Sequence, residues 1–443
     1  MSTVVLGLGA SGRAALGLLK RRGVVDLVGV DLRESLGESG ADPVFDGVDL
    51  QLGPHRRETF NGAERIVVSP GIPPTVPDLV AAREAGVPVV GEVALAVELA
   101  LDPTVPVVGI SGTNGKSTVT HVTGQLLTAL GLSPFVGGNL GDPVSNADRA
   151  GHGAYVLELS SYQLENAGAL RADVGMLLNL TPDHLARHGD MAGYAAAKCR
   201  LFAHARAADV ALIPVDDPWL TDARAGARGQ RAWLGGSPGV QRRGTTVTVG
   251  LNGRSHVFDL SPLPLPGTHN QDNVAAALFA AWVLAQRRGL DVQVLQDTIG
   301  RLTGLPHRMQ VVPTDDGRTW IDDSKSTNVA STLAAVKGLS TPTVLLLGGQ
   351  WKGGGFAALV PHLDAVHTVV TFGRHGPDIA DELAAAGVDP IRADSLEAAV
   401  QHARAHGRSG DIVLLSPGCA SFDAFSDFTH RGRVFQDLAQ HPS

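Results

Sequence analysis

Three times along this chain a short apolar run breaks at a glycine-rich turn and continues as an Ala/Leu-rich helical pattern: "VVLGLGASGRAALGLL", "VPVVGISGTNGKSTVTHVTGQLLTAL" and "TVLLLGGQWKGGGFAALV". No other feature constrains the fold as much. A strand that passes through a tight turn into a helix returns by a crossover, so the next strand lies parallel and the helix covers the sheet. Short β-branched runs alternate with helical stretches from end to end, so the class is α/β, with three sheets expected in place of one. A chain of 443 residues, 44% of them hydrophobic, also exceeds what a single core accommodates. Two Pro-containing connectors, "LDPTVP" at Leu101 to Pro106 and "LTGLPHR" at Leu302 to Arg308, set the expected domains at 1–100, 101–304 and 305–443.

The net charge of −8 gives no basic footprint of the kind that nucleic acid or an anionic membrane attracts. Two cysteines, Cys199 and Cys419, are too few for a disulfide framework and fit a reducing compartment. The opening "MSTVVLGLGA" has no basic segment ahead of its apolar run and reads as a first strand. The most hydrophobic stretch, Val93 to Ile110, is interrupted by Glu98, Asp102 and two prolines. A cytoplasmic protein is expected, with no nucleic-acid partner and no membrane segment.

"GLGASG", Gly7 to Gly12, is a full G-x-G-x-x-G between strand and helix, and the following strand "LVGV" ends at Asp31. Three readings stay open for it: a structural turn, an NAD site, or a site for another nucleotide, such as a uridine nucleotide whose hydroxyls or imide Asp31 would accept. Farther on, "VVSPGI" ends an apolar strand with a Pro-Gly turn of the sort that borders a ligand crevice.

"GISGTNGKST", Gly109 to Thr118, is an imperfect phosphate loop, since G-x-x-x-x-G-K-S/T would place glycine where this chain has Ile110. Its setting between a buried strand and a helix nevertheless converges backbone N–H groups on an anion. Lys116 can neutralise terminal phosphates and Ser117 can place its hydroxyl on Mg2+. The next strand ends at Glu158, a carboxylate suited to Mg2+ if the two strands are neighbours. "MLLNLTPDHLARHGDMAGYAAAKCRLF" then adds Asp183, His184 and Lys198. Imidazole is an unusual ligand for hard Mg2+, and an ammonium beside the metal needs a reason.

"GTNGKST", "LELSSYQLE", "NLTPDHL" with "YAAAK", and "GTHNQDN", in this order, resemble the Mur ligase family, ATP-dependent amide-forming enzymes of bacterial cell-wall synthesis. Folylpolyglutamate synthases share part of the set. The resemblance covers essentially the whole chain and implies three domains: a Rossmann-like N-terminal domain, a P-loop-type central ATPase domain and a Rossmann-like C-terminal domain. It implies ATP on Gly112, Thr113, Asn114, Gly115, Lys116, Ser117 and Thr118, with Asn270 and Asn273 in the adenine and ribose region and Arg308 and Asp323 also serving the nucleotide. Two Mg2+ ions are implied, one on Ser117 and Glu158, the other on His184 and Lys198. In the family the lysine matching Lys198 is carbamylated by CO2, which turns a cation into an anionic ligand.

"LLLGGQWKGG" and "LLSPGCASFDAFSDFTHRGRVF" bring the resemblance to the branch that joins D-glutamate to UDP-N-acetylmuramoyl-L-alanine through an acyl phosphate. Thr327, Lys352, Ser421 and Phe428 match its D-glutamate site; an ammonium and hydroxyls suit two carboxylates, and an aromatic wall orients the aliphatic part. The sugar nucleotide is implied on Gly9, Ala10, Ser11, Asp31, Arg33, Gly71 and Asn139, so the dinucleotide fingerprint would hold UDP. A monomer that closes its third domain over its second is expected. Two positions depart from the pattern: Gly355, where an aspartate is common, and Ala186, where family members frequently carry aspartate after "HL". A nicotinamide oxidoreductase would leave Lys116, Glu158, His184 and Lys198 without a task, and a nucleotide-binding regulator would release no phosphate.

Overall fold

The computed structural model describes residues 2–37, 40, 42–147, 151–220, 228–337, 339–351 and 355–441. Three sheets follow one another along the chain. The first is wholly parallel: β1 (Thr3–Leu6), β2 (Leu27–Asp31), β3 (Asp49–Leu52), β4 (Arg65–Val68) and β5 (Val89–Gly91) stand in the order β3-β2-β1-β4-β5. All four residues of β1 are buried, as befits a parallel strand covered on both faces. Strand order reverses at β1, so the crevice outside its carboxyl end lies between the loops after β1 and β4. Those are the loops of "GLGASG" and "SPGI".

The second sheet contains β6 (Val107–Ser111), β7 (Pro134–Gly138), β8 (Ala154–Glu158), β9 (Val174–Leu177), β10 (Val210–Pro214), β11 (Gln230–Leu234), β12 (Gly239–Arg243), β13 (Thr246–Leu251) and β14 (Arg254–Asp259). Their order is β14-β13-β12-β11-β10-β9-β6-β8-β7. The strands are parallel from β7 to β12, but β12, β13 and β14 are antiparallel. A purely parallel sheet was the expectation, and the difference has a local cause. Asn252 and Gly253 both take positive φ (54° and 75°), the turn geometry that joins adjacent antiparallel strands, and "VTVGLNGRSHVF" carries the Asn-Gly signal for it.

The third sheet runs β15-β16-β20-β17-β18-β19, from β15 (Gln310–Val312), β16 (Thr319–Asp322), β17 (Thr343–Gly348), β18 (Val366–Phe372), β19 (Ile391–Arg392) and β20 (Ile412–Leu415). Only β15 is antiparallel to its neighbour.

The chain divides into two compact units: residues 1–262 with 274–300, and residues 263–273 with 301–443. The first unit holds two sheets because one hydrophobic cluster runs through both, from Val5, Leu8 and Leu16 to Leu95, Tyr155, Leu157 and Leu201. Polar ties reinforce it. Ser145 N donates to the buried Glu92 Oε1 at 2.6 Å, and Arg21 donates to the Ser145 carbonyl at 2.8 Å. In the second unit, Trp320, Leu346 and Phe372 of the sheet form a core with Phe435 of the helix Phe428–Gln440. The segment carrying Asn270 and Asn273 groups with this second unit. No helix among the described residues is long and apolar enough to cross a membrane.

Candidate active site

The phosphate loop begins where β6 ends. Ile110, the position that spoils the strict motif, is still in β6 and fully buried, paired with Glu158 of β8. The loop is therefore shorter than the usual one, and its glycines sit where the backbone demands them. Gly112 has φ 148°, and a Cβ there would meet the Leu178 Cβ at 3.1 Å. Gly115 has φ 82° and caps the helix Lys116–Ala129. Asn179, the first residue of "NLTPDHL" and given no role by the sequence reading, braces the loop from beyond the end of β9. Asn114 N donates to Asn179 Oδ1 at 2.9 Å, Asn179 Nδ2 returns a bond to the Asn114 carbonyl at 3.1 Å, and Thr113 N donates to the Asn179 carbonyl at 3.0 Å. A helix N-terminus with its preceding loop pinned in this way is a preformed anion site.

Lys116 donates to the Thr113 carbonyl at 2.7 Å and lines a cavity of about 610 Å3. The same cavity is lined by Asp183, His184, Tyr194 and Lys198 from the second sheet's loops, by Asn139 after β7, and by Gly9, Ala10, Ser11 and Gly71 from the first sheet. The structure thus brings Gly9, Ala10, Ser11, Gly71, Lys116, Asn139, His184 and Lys198 to one chamber, while Glu158, Ser117 and the rest of the phosphate loop are not among its lining residues. Asp31 and Arg33 are not among its lining residues; they pair with each other. Arg33 donates from Nε and Nη2 to the two Asp31 oxygens, both at 2.8 Å, and Leu8 N donates to Oδ2 at 2.8 Å. The Arg33 hydrogen bond holds the Asp31 carboxyl well below the ordinary carboxylate range. Within the fingerprint, a Cβ on Gly12 would lie 1.9 Å from the Gly7 carbonyl oxygen, whereas one on Gly9 would meet nothing within 4 Å. Gly12 serves close packing of helix on strand. Gly9 faces open space.

Glu158 is 2% exposed, and Asn139 Nδ2 donates to its Oε1 at 2.6 Å. Its Oε2 is buried with no hydrogen-bond partner among the described residues. An uncompensated buried carboxylate oxygen at the end of β8, the strand paired with β6, and the buried Ser117 hydroxyl of the loop that follows β6 are oxygen donors of the kind that fit Mg2+. No group of three His, Cys, Asp or Glu side chains among the described residues forms a metal site by itself. A second ion would need a further anionic donor.

Lys198 is 2% exposed on the helix Met191–Cys199. Its Nζ donates to the Gly112 carbonyl at 2.8 Å and stands 4.8 Å from the Tyr194 ring centroid. Burial, and secondarily the charge of Lys116, push its pKa down from 10.5 to about 6. His184 adopts a left-handed backbone (φ 54°) as the cap of the short helix Leu185–His188, with Nδ1 3.1 Å from Tyr162 Oη. Tyr194, its phenol raised to about 12 by burial, stands with Oη 3.2 Å from Thr113 Oγ1.

In the second unit, Arg308 lies between two residues with positive φ, His307 (61°) and Met309 (45°). Two buried aspartates hold that unusual path. His307 Nδ1 is 2.6 Å from Asp322 Oδ2, and Met309 N donates to Asp323 Oδ1 at 3.2 Å. Ser326 and Ser416 hydroxyls donate to Asp323 Oδ2 at 2.5 and 2.8 Å, and burial nevertheless raises the Asp323 carboxyl to about 6. Asp323 therefore shapes the Arg308 loop from inside. Thr327 follows this knot, Ser421 is buried, and Phe428 opens the helix Phe428–Gln440 with Lys325 Nζ 3.8 Å from its ring centroid. Asn270 Nδ2 donates to the Pro266 carbonyl at 2.7 Å, and Asn273 lies on the same helix, Thr268–Arg288. Lys352 lies outside the described residues. His307, within the connector Leu302 to Arg308, and Asp322 had been given no role.

Comparison with known proteins gives this geometry its relatives. Residues 1–91 match the N-terminal domain of the Mur ligase MurD-like model, 110–281 the Mur ligase middle domain, and 307–419 the Mur ligase glutamate ligase domain. The UDP-N-acetylmuramoylalanine–D-glutamate ligase of Syntrophotalea carbinolica is 40% identical over 98% of this chain and 96% of its own length. The chain belongs to the Mur ligase family. Ligases of the same description from Methylobacillus flagellatus (40% identical, 98% and 95% covered) and Rubrobacter xylanophilus (40% identical, 99% and 98% covered) place it in the same branch of Mur ligases. Among solved structures, UDP-N-acetylmuramate-alanine ligase MurC from Thermotoga maritima (TM-score 0.60, 18% identical, 98% of each chain) and MurF from Acinetobacter baumannii (TM-score 0.61, 17% identical, 98% and 90%) share the Mur ligase fold.

Proposed function

We infer that the chain condenses the carboxylate of UDP-N-acetylmuramoyl-L-alanine with the amine of D-glutamate. It is an ATP-dependent, ADP-forming ligase of peptidoglycan precursor synthesis. The observation that supports the residue assignment is the single chamber in which Lys116 of the pinned phosphate loop, His184 and the buried Lys198 face the loops of the first sheet, with Asn139 of its wall bonded to the buried Glu158.

A carboxylate and an amine do not condense in water unless the carboxylate is first activated, and ATP activates it as an acyl phosphate. Lys116 and the backbone N–H groups from Gly115 onward receive the phosphates and oppose the charge that builds on the transferred group. Ser117 and Glu158 would hold one Mg2+, and His184 with a carbamylated Lys198 a second; bound there, the ions neutralise phosphate charge. Asn270, Asn273, Arg308 and Asp323 serve ATP, and Asp323 acts through the Arg308 loop. Gly9, Ala10, Ser11, Gly71 and Asn139 take the sugar nucleotide, with Asp31 and Arg33 for the uracil side. Thr327, Lys352, Ser421 and Phe428 orient D-glutamate, whose amine displaces phosphate. The division into 1–100, 101–304 and 305–443, a monomeric state and a cytoplasmic location complete the reading.

An ADP-release assay tests it. With ATP, Mg2+ and UDP-N-acetylmuramoyl-L-alanine present, ADP should appear on adding D-glutamate and not on adding L-glutamate, L-alanine or L-lysine. ADP formation with one of those and none with D-glutamate would overturn the substrate assignment.

A further inference from the structure

The turn after β8 brings into the chamber a tyrosine that the reading above leaves without work. Tyr162 belongs to the helix Ser161–Glu165, whose start is fixed by a capping box: Ser160 Oγ accepts from Gln163 N at 3.2 Å, and Gln163 Oε1 accepts from Ser160 N at 2.9 Å. The residue's direction is therefore set by its own sequence, "SSYQLE". Its Oη stands 3.1 Å from His184 Nδ1, with the two ring centroids 4.9 Å apart. A tyrosine phenol is an intact hydroxyl at neutral pH, able to hydrogen-bond the imidazole.

Arg187 secures the tyrosine. Its guanidinium lies over the Tyr162 ring, 4.9 Å from the centroid. The same group donates to Glu165 (Nη2 to Oε2 at 2.6 Å, Nε to Oε1 at 3.3 Å) and to the Ile72 carbonyl at 3.1 Å. Ile72 follows Gly71 in the loop that lines the chamber from the first sheet. One planar fork thus ties a ring, a carboxylate and a substrate-side loop together, which a lysine's single nitrogen could not do.

His184 needs such support. Its side chain is 47% exposed at the cap of a helix four residues long, and Asp183 Oδ2, 3.6 Å from Nε2, is beyond hydrogen-bond length, so packing sets its rotamer weakly. Residue 186, where the family frequently has aspartate, is alanine.

We propose that Tyr162 is a positioning residue for the His184 imidazole and that Arg187 locks the pair to the loop 69–72. This rests on the reading of His184 as part of the phosphate and metal site. The Tyr162 hydroxyl decides which ring nitrogen is engaged, so it acts on turnover and leaves substrate affinity alone. Arg187 also holds Ile72, so it acts on both.

Tyr162→Phe keeps the ring and its contact with Arg187 and removes only Oη. Its kcat should fall about tenfold, the effect of one lost orienting hydrogen bond, with KM unchanged for both the uridine substrate and D-glutamate. Arg187→Lys should lower kcat and raise KM for the uridine substrate together. A second readout needs no turnover: long-range 1H–15N spectra of the histidine-labelled, metal-free protein, with His184 identified by its absence in His184→Gln. One neutral tautomer should dominate in the wild type and a mixture in Tyr162→Phe. Unchanged ring-nitrogen signals in Tyr162→Phe, or wild-type kcat in Tyr162→Phe while His184→Gln is inactive, would overturn the positioning role alone. Wild-type turnover of His184→Gln would instead overturn the reading of His184, and the proposal with it.

Discussion

A lysine can become a carbamate only through its neutral amine, and the surroundings of Lys198 set how often that form exists. At pH 7 a lysine at its ordinary 10.5 is neutral in about one molecule in 3,000. Lys198 at about 6 is neutral in about nine molecules of ten, a gain of more than three orders of magnitude from burial and the neighbouring Lys116 charge. Carbamate should therefore be detectable by 13C NMR in protein held at pH 7 with 13C-bicarbonate and Mg2+, and be absent in Lys198→Ala. The sign of the pH dependence follows from the lowered pKa: occupancy persists at neutral pH and is lost as pH falls through about 6, where the amine reprotonates. Lys116→Met removes a like charge, so that midpoint should move upward. Lys198→Ala should lose ADP formation, and acetate, a small carboxylate able to occupy the vacated space, should restore part of it. Lys20→Ala and Lys337→Ala should show no acetate effect. The reasoning fails if Lys198→Ala is fully active without additive, or if no carbamate signal exceeds that of Lys198→Ala at any pH between 7 and 8.

Lys116→Ala should reduce turnover by roughly two to three orders of magnitude, by analogy with a lost oxyanion donor, while the uridine substrate binds as before. Because Asn179 braces the loop independently of Lys116, the variant's thermal melting should be unchanged, and wild-type ADP release would remove the phosphate-loop assignment. The two fingerprint glycines should separate in opposite ways: Gly12→Ala must displace the Gly7 carbonyl and should cost about 2–4 kcal/mol in denaturant unfolding. Gly9→Ala should leave stability within about 0.5 kcal/mol and weaken the uridine substrate, measured by calorimetric titration; normal affinity would place the nucleotide elsewhere.

What was legible in the sequence is what is decided locally. Strand, glycine turn and helix are contiguous, so three parallel-type sheets and the phosphate loop could be read from three short stretches. The antiparallel β13–β14 arm was equally local, and its Asn252-Gly253 turn went unread because the repeated crossover unit dominated the pattern. The union of the first two sheets into one unit is different in kind. It depends on Arg21 reaching Ser145, 124 residues away, and on Glu92 receiving the same residue's N–H across 53 positions, and neither contact leaves a periodic trace.

The same division runs through the site. Lys116, Ser117 and Glu158 were identified by the chemistry of their own side chains at the ends of strands. Residues whose work is to hold others were not, because their partners are remote: Asn179 braces a loop 65 positions earlier, and Asp322 sustains the left-handed path at His307, while Asp323, assigned to the nucleotide by resemblance, holds Met309 from inside. Lys198 shows why proximity in space changes the chemistry itself. Read as a lone residue it is a cation that would repel Mg2+. Buried in the fold and in the field of Lys116, its pKa falls to about 6 and its amine is largely neutral at pH 7. The alanine at 186 makes the converse point, since a carboxylate missing two positions after His184 looks like a defect in the sequence even though Asp183 precedes it. In the fold, a hydroxyl from Tyr162, 22 positions before the histidine, reaches the same imidazole, and Arg187 keeps it there.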